Sequence, residues 1–194
     1  MKLVTNLGGF MAKNSDRKVI DKVFILLGAM STVVLLVVGG LALYGYSFAT
    51  NMVTKELSEQ KVYFPAAGSE ALASLPKADR DEVSRYAGQQ LVNGEQARVY
   101  ADHFIGVHLG KIAGGKTYAE VSSEAMADPT NAELQAQKAT LFQGETLRGM
   151  LLGMGYSFWT FGMIALYAAW AAFAGAVVMA VLVLLGLCHL AKLK

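Results

Sequence analysis

The chain has 194 residues, of which 54% are hydrophobic and 16% are charged, and its formal net charge is +2. A length of this order would suit one globular domain, but so apolar a composition indicates insertion into a membrane. The basic residues are too sparse for a nucleic-acid-binding protein, and a single cysteine excludes an intrachain disulfide.

The two ends of the chain are basic and its middle is slightly acidic. Residues 1–22 and 189–194 together carry seven basic and two acidic side chains, a net charge of +5. Residues 50–148 carry ten basic and 13 acidic side chains, a net charge of −3. Because basic flanks stay on the inner side of a membrane, we predict that both termini are cytoplasmic. Residues 1–15 are expected to form a flexible tail or a surface segment.

Residues 23–49 form the first apolar run and contain no charged side chain. About 20 apolar residues cross a bilayer, whereas a signal peptide has a core of only about 7 to 15, so this run predicts a retained transmembrane helix. Small residues on one face of it would let another helix approach closely. These are Gly28, Thr32 and Gly40.

The region between the two apolar runs, residues 50–148, shows helical rather than strand patterns. This predicts an all-α membrane protein with a helical extracytoplasmic domain inserted between two spans. Residues 74–92 are predicted as a helix closed by an Asn-Gly pair, and 95–113 as another helix stopped by two glycines. Residues 61–76, with Ala, Gly and Ser, are predicted as a loop.

Two further helices begin with capping signals. Thr117 with Glu120, and Thr130 with Glu133, have the spacing of a capping box. The second of these helices meets no breaker stronger than glycine, so we expect it to continue into the second membrane span.

Residues 149–188 contain no charged side chain, which makes this run about twice as long as the ~20 residues that cross a bilayer. At about 1.5 Å per residue it would reach roughly 60 Å, against roughly 30 Å of hydrocarbon. It contains no Pro, Asn or Asp, so it predicts one long helix rather than a hairpin, whose weakest point would lie near Gly155. An apolar end therefore projects outside, and the extracytoplasmic helices are expected to cover it.

Aromatic side chains are expected to mark the outer membrane surface. The predicted interfacial anchors are Tyr44, Tyr46, Tyr156, Trp159, Tyr167 and Trp170. Two placements of the second span stay open. Either Tyr167 and Trp170 lie at the surface, or the helix lies deeper with Tyr156 and Trp159 there, and tilt absorbs part of the length.

Small residues recur along the second span, where they would allow another helix to approach to backbone contact. The predicted helix-packing or partner interface consists of Ala168, Ala172, Ala176, Ala180 and Gly175, with a second pair, Gly149 and Gly153, in the projecting part. This surface could meet the first helix of the same chain, a larger membrane complex, or a second copy.

Candidates for chemistry are few. His103 and His108 are five residues apart with Asp102 adjacent, whereas metal ligands on one helix face are spaced by three or four. We interpret both histidines as solvated or capping side chains. The sequence therefore predicts no catalytic, metal or cofactor site and no enzymatic activity.

Three other features have ordinary structural interpretations. Residues 110–117 match the bare pattern GxxxxGKT, but they follow a predicted helix rather than a strand, so we read them as helix caps. Cys188 is interpreted as a small core residue and His189 as an interfacial one. The spans contain no charged residue, so they offer no candidate for a proton or ion pathway.

Residues 96–120 carry a resemblance to a known family. With Val-Tyr-Ala-Asp at 99–102, His108, and Gly-Gly-Lys-Thr-Tyr-Ala-Glu at 114–120, they resemble a family of small actinobacterial membrane proteins. The resemblance implies two spans, cytoplasmic termini and a helical outer loop. It extends over much of the second half of the chain, with a weaker likeness at residues 47–61.

Many members of that family carry the label of aromatic ring-opening dioxygenase. We do not expect this activity, because no set of two histidines and a carboxylate for iron can be identified here. Some small actinobacterial membrane proteins are accessory subunits of respiratory assemblies such as the cytochrome bcc–aa3 supercomplex. By that analogy we expect a non-catalytic accessory subunit in the cytoplasmic membrane, in contact with lipids. The alternatives are a membrane-anchored binding module for a lipid or envelope ligand, or a metal-dependent enzyme.

Overall fold

The computed structural model describes the backbone of residues 2–192 and the side chains of residues 17–192. Throughout these residues the chain is helical, apart from turns and an isolated antiparallel bridge between Tyr63 and Gln90. The helices are α1 (Lys2–Glu59), α2 (Glu70–Ala73), α3 (Lys77–Ser84), α4 (Gly94–Val99), α5 (Gly106–Leu109), α6 (Tyr118–Ala127), α7 (Ala132–Met150) and α8 (Phe158–Lys192). Two π-helical segments, Tyr100–Ile105 and Leu151–Ser157, and a 3₁₀ turn, Ile112–Gly115, connect some of them.

Two helical stretches, Arg17–Glu59 and Ala132–Lys192, are long and apolar enough to cross a membrane. The prediction of an all-helical chain with two long apolar helices is therefore confirmed. The N-terminal tail differs from the expectation, since α1 already begins at Lys2. Met1, Leu193 and Lys194, including the last predicted basic residue of the tail, lie outside the described residues.

The second long helix is continuous from Ala132 to Lys192, so no hairpin bend occurs near Gly155. The π-helical turn is local, and within it the Ser157 hydroxyl donates a hydrogen bond of 2.8 Å to the Leu152 carbonyl. Such a turn carries one extra residue inside an α-helix and is frequent at functional sites.

The chain divides into two compact units. The first contains the residues up to Gly45 and from Ile164 onward, and the second is Tyr46–Met163. In the first unit α1 and α8 run antiparallel. A Cβ at Gly28 would lie 2.8 Å from Cγ2 of Val183, and a Cβ at Gly39 would lie 2.7 Å from the Phe173 ring. Glycine is thus required where the helices cross at close range.

The second unit has its own hydrophobic core. Its most completely buried large side chains are Leu91, Val83, Val99 and Val121. A string of aromatic rings lies beside it: Tyr100 is 5.2 Å from Phe64 in an edge-to-face arrangement and 5.0 Å from Phe104. The short helices therefore form a packed unit with the parts of both long helices that fall within Tyr46–Met163.

The helix predicted for residues 74–92 is much shorter than expected. Only Lys77–Ser84 is helical, and the chain then turns through Gly88 at φ +71°. The Leu91 amide donates a hydrogen bond of 2.9 Å to the Val62 carbonyl, which draws this segment across the core. The Asn-Gly pair does not close this helix but opens α4, where the Asn93 side chain accepts from the Gln96 amide at 2.9 Å.

The capping box at Thr117 and Glu120 is confirmed, with both reciprocal hydrogen bonds present. Hydrogen bonds donated by the backbone and hydroxyl of Thr117 lower the pKa of the Glu120 carboxyl. The second predicted box is wrong. Asn131 caps α7 by accepting from the Leu134 amide at 3.1 Å, whereas the Thr130 hydroxyl bonds to Asp128.

Candidate functional site

The predicted alanine series lies only partly on the buried side of α8. Ala172 and Ala176 are buried, Ala180 is partly buried, and Ala168 is exposed. Residues spaced by four advance about 40° around a helix at each step, so a strict i, i+4 series leaves any straight contact line. Ala169, which the fourfold spacing missed, is the most buried alanine of this helix at 1% exposure.

The buried side of α8 faces α1 within the first unit. A Cβ at Gly175 would lie 3.4 Å from Leu35, and one at Gly186 would lie 2.9 Å from Ile25. On α1 the glycine at the crossing is Gly39, whereas the predicted Gly40 faces open space. A spacing alternating between three and four residues would have found this face, as in a coiled-coil seam.

The second predicted pair of small residues is open. Nothing lies within 4 Å of a Cβ built at Gly149 or Gly153. Along the same helix the rings of Phe142 and Phe161 are 57% and 69% exposed. We call this surface, Phe142, Gly149, Gly153 and Phe161, the glycine face. Its residues all belong to the second unit, and the Phe142 ring centroid also lies 5.7 Å from that of Tyr118.

The predicted interfacial aromatic residues fall into two groups. The exposed ones are Tyr44, Tyr167 and Trp170. Tyr46, Tyr156 and Trp159 are partly buried in the second unit.

The Arg98 guanidinium lies 5.8 Å from the Tyr156 ring centroid. A side-chain hydrogen bond to Glu95 is the main reason that the pKa of Arg98 is raised.

The second long helix is covered by α4 around residues 155–159. A Cβ at Gly155 would lie 2.9 Å from the Ala97 Cβ, and Gly94 lies against Trp159. α4 therefore packs directly against residues 155–159 of this helix.

The histidines of the second unit are engaged within the chain. His103 Nδ1 lies 2.8 Å from an Asp79 carboxylate oxygen, and His108 Nδ1 lies 2.7 Å from the Phe104 carbonyl. Asp102 accepts a hydrogen bond of 3.0 Å from Arg148. Among the described residues no three His, Cys, Asp or Glu side chains cluster as metal ligands would.

The remaining sequence candidates have simple positions. Gly110 ends α5 and Thr117 caps α6, so the phosphate-loop-like segment is a pair of helix caps, as predicted. Cys188 is exposed on α8, which contradicts its interpretation as a core residue. His189 Nε2 lies 3.9 Å from the Asp21 carboxylate within the first unit, a pair that the sequence did not suggest.

The second unit also contains an apolar groove that sequence reasoning missed. It lies between α1 and the helix from residue 147 to residue 158 and encloses about 130 Å³. Three of the side chains that line it are methionines, Met52, Met150 and Met154. Polar side chains line one end only, at Glu56 and Gln60. We call it the methionine groove. No spacing rule marks it, because its two walls are some 90 residues apart in sequence.

Comparisons of the chain with protein-family models, with curated proteins and with solved structures found no match. The resemblance at residues 96–120 therefore stays a prediction.

Proposed function

We propose that the chain is a two-span protein of the cytoplasmic membrane that serves as a non-catalytic accessory subunit of a larger membrane complex. Its termini are cytoplasmic, and residues 50–148 form a helical domain outside. The basic ends and the two long apolar helices support this topology. Most of the aliphatic side chains of α8 and of α1 from residue 17 onward are exposed, as expected for helices surrounded by lipid or partner helices.

The observation that carries the docking proposal is the glycine face. Gly149 and Gly153 leave the backbone open on one side, which lets a partner helix approach closely. Phe142 and Phe161 flank them and leave large rings exposed. An exposed apolar patch of this kind is typical of a site that contacts another protein or the membrane.

The proposed partner is a respiratory complex of the cytochrome bcc–aa3 type. Support comes from the resemblance of residues 96–120 to small actinobacterial membrane proteins, some of which are respiratory accessory subunits. In this role the outer helices act as a clamp on the partner.

The test uses the affinity-tagged full chain, isolated in mild detergent from membranes of its native host. We expect the haem spectrum and subunit masses of the respiratory complex in the eluate. The double variant G149L/G153L should lose the complex, because two leucines fill the open backbone surface. Both replacements increase helix propensity, by about 1 kcal/mol each, so loss of the complex would not reflect unfolding.

The matched control is Gly40→Leu, since Gly40 also faces open space but lies on α1. This variant should retain the complex. A wild-type protein that elutes as a monodisperse monomer without haem would contradict the proposal, and so would retention of the complex by the double variant.

A further inference from the structure

We propose that the methionine groove binds one acyl chain of phosphatidylethanolamine from the outer leaflet, with the lipid headgroup at Glu56 and Gln60. The inference goes beyond the accessory role but rests on the membrane topology proposed above. It combines the size of the groove, the distribution of polar groups along it, and the charge at its polar end.

The size of the groove fits part of a hydrocarbon chain. Its volume of about 130 Å³ is close to that of the roughly 150 Å³ apolar cavity that stays dry and binds benzene. Its length from residue 52 to residue 60 is about 12 Å at the helical rise per residue. Methionine side chains adapt to irregular apolar shapes, which suits a flexible chain better than a rigid planar ligand.

The polarity of the groove matches the orientation of an outer-leaflet lipid. In the proposed topology α1 runs outward, so Met52 lies nearer the hydrocarbon than Glu56 and Gln60 do. Met52 and Phe158 form the apolar end of the groove. A lipid would therefore enter with its tail inward and its headgroup outward.

The polar end favours an ammonium group over an anion. Among the described side chains no cation lies within ion-pair distance of Glu56, and no basic residue lines the groove. Glu56 can accept a hydrogen bond from the ethanolamine ammonium, while the Gln60 amide can donate one to the phosphate. Glu56 lies in the last turn of α1 and Gln60 directly follows the helix, so both polar groups lie at one end of the groove. Phosphatidylglycerol would instead bring a net negative charge to Glu56.

The experiment incorporates the purified full chain into bilayer discs of phosphatidylcholine, phosphatidylethanolamine and phosphatidylglycerol in equal amounts. Native mass spectrometry then identifies and counts the lipids that each chain retains. We expect one phosphatidylethanolamine on each wild-type chain. In E56Q the ratio of retained phosphatidylethanolamine to phosphatidylglycerol should fall by up to about tenfold, the scale of one charge-assisted hydrogen bond. In M154W the larger side chain should fill the groove and abolish retention.

Two matched controls separate the groove from general effects. Met126→Trp changes a methionine that is 65% exposed on α6, outside the groove, and Glu59→Gln removes a charge from α1 beside it. Both should retain lipid as the wild type does. Equal retention of the two lipids by the wild type, or unchanged retention by M154W, would overturn the proposal. A lipid-free dimer would do the same, because a second copy would then cover the groove.

An experiment that contradicts the lipid-binding proposal can be distinguished from one that contradicts the proposed membrane topology. Labelling of engineered cysteines, described in the Discussion, tests membrane insertion without reference to lipid binding. A chain that inserts as proposed but shows no preference among the lipids contradicts the lipid site alone.

Discussion

Gly94, the first residue of α4, lies directly against Trp159 of the second long helix. A Cβ at position 94 would meet the Trp159 side chain, with Cγ only 2.5 Å away, and would lie 3.0 Å from the Gly155 carbonyl oxygen. Neither obstacle can move easily, since one is the base of the Trp159 side chain and the other is backbone. This contact fixes a short helix to residues 155–159 of the second long helix.

Gly94→Ala is therefore expected to destabilise the second unit, although alanine is otherwise the better helix former. Forcing a methyl group into a filled contact costs about 1–3 kcal/mol. Thermal unfolding in detergent, followed by circular dichroism, measures the change. Gly153→Ala is the control, because nothing lies within 4 Å of its Cβ position and it should be neutral or slightly stabilising. Equal stability of the two variants would show that α4 does not hold this contact in solution.

Ala176→Leu is expected to destabilise the first unit, whereas Ala168→Leu is not. Ala176 is 2% exposed on the side of α8 that faces α1, and Ala168 is exposed. Overpacking a helix crossing costs about 1–3 kcal/mol, while a leucine facing lipid adds no strain. The melting temperatures of the two variants in the same detergent provide the comparison. If Ala168→Leu is the more damaging change, the contact face of α8 has been assigned wrongly.

The sequence predicted those features that depend on local chemistry. Uncharged runs gave the two long helices, and the capping box at Thr117 needs only residues three positions apart. Features that depend on tertiary contacts were missed. The contact between Gly94 and Trp159 joins segments that are far apart in the chain, and so does the methionine groove. In the predicted alanine series Ala172 and Ala176 are buried, whereas Ala168 is exposed, because residues spaced by four drift about the axis of an α-helix.

Alkaline pH should destabilise the protein through Tyr100. Burial raises the pKa of this phenol above its ordinary value of 10.0, so the unfolded chain ionises it first. Its contribution to stability is complete below pH 10.0 and is lost as the pH rises through the higher folded-state pKa. Tyr100→Phe keeps the ring between Phe64 and Phe104 but cannot ionise.

The measurement for Tyr100 is the melting temperature of both proteins across this alkaline range. We expect the wild type to lose more stability than Tyr100→Phe. Parallel curves would mean that the folded protein ionises Tyr100 as readily as the unfolded chain does.

Asp21 and His189 should be energetically coupled. Asp21 Oδ2 is shielded from solvent, has no hydrogen-bond partner among the described residues, and lies 3.9 Å from His189 Nε2. Because half of the His189 side chain is exposed, the coupling is expected to be below about 1 kcal/mol. A double-mutant cycle with Asp21→Asn and His189→Gln measures it from unfolding in detergent. Strictly additive effects would show that the two side chains do not interact.

The proposed topology predicts which engineered cysteines can be labelled from outside the cell. Cys188→Ser first removes the native thiol, which is exposed on α8. Lys77→Cys replaces a side chain that is 79% exposed in the second unit, and Lys192→Cys replaces one near the end of α8. A membrane-impermeant maleimide should label position 77 in intact cells and position 192 only after permeabilisation. Labelling of position 192 in intact cells would invert the topology and, with it, the lipid orientation inferred for the methionine groove.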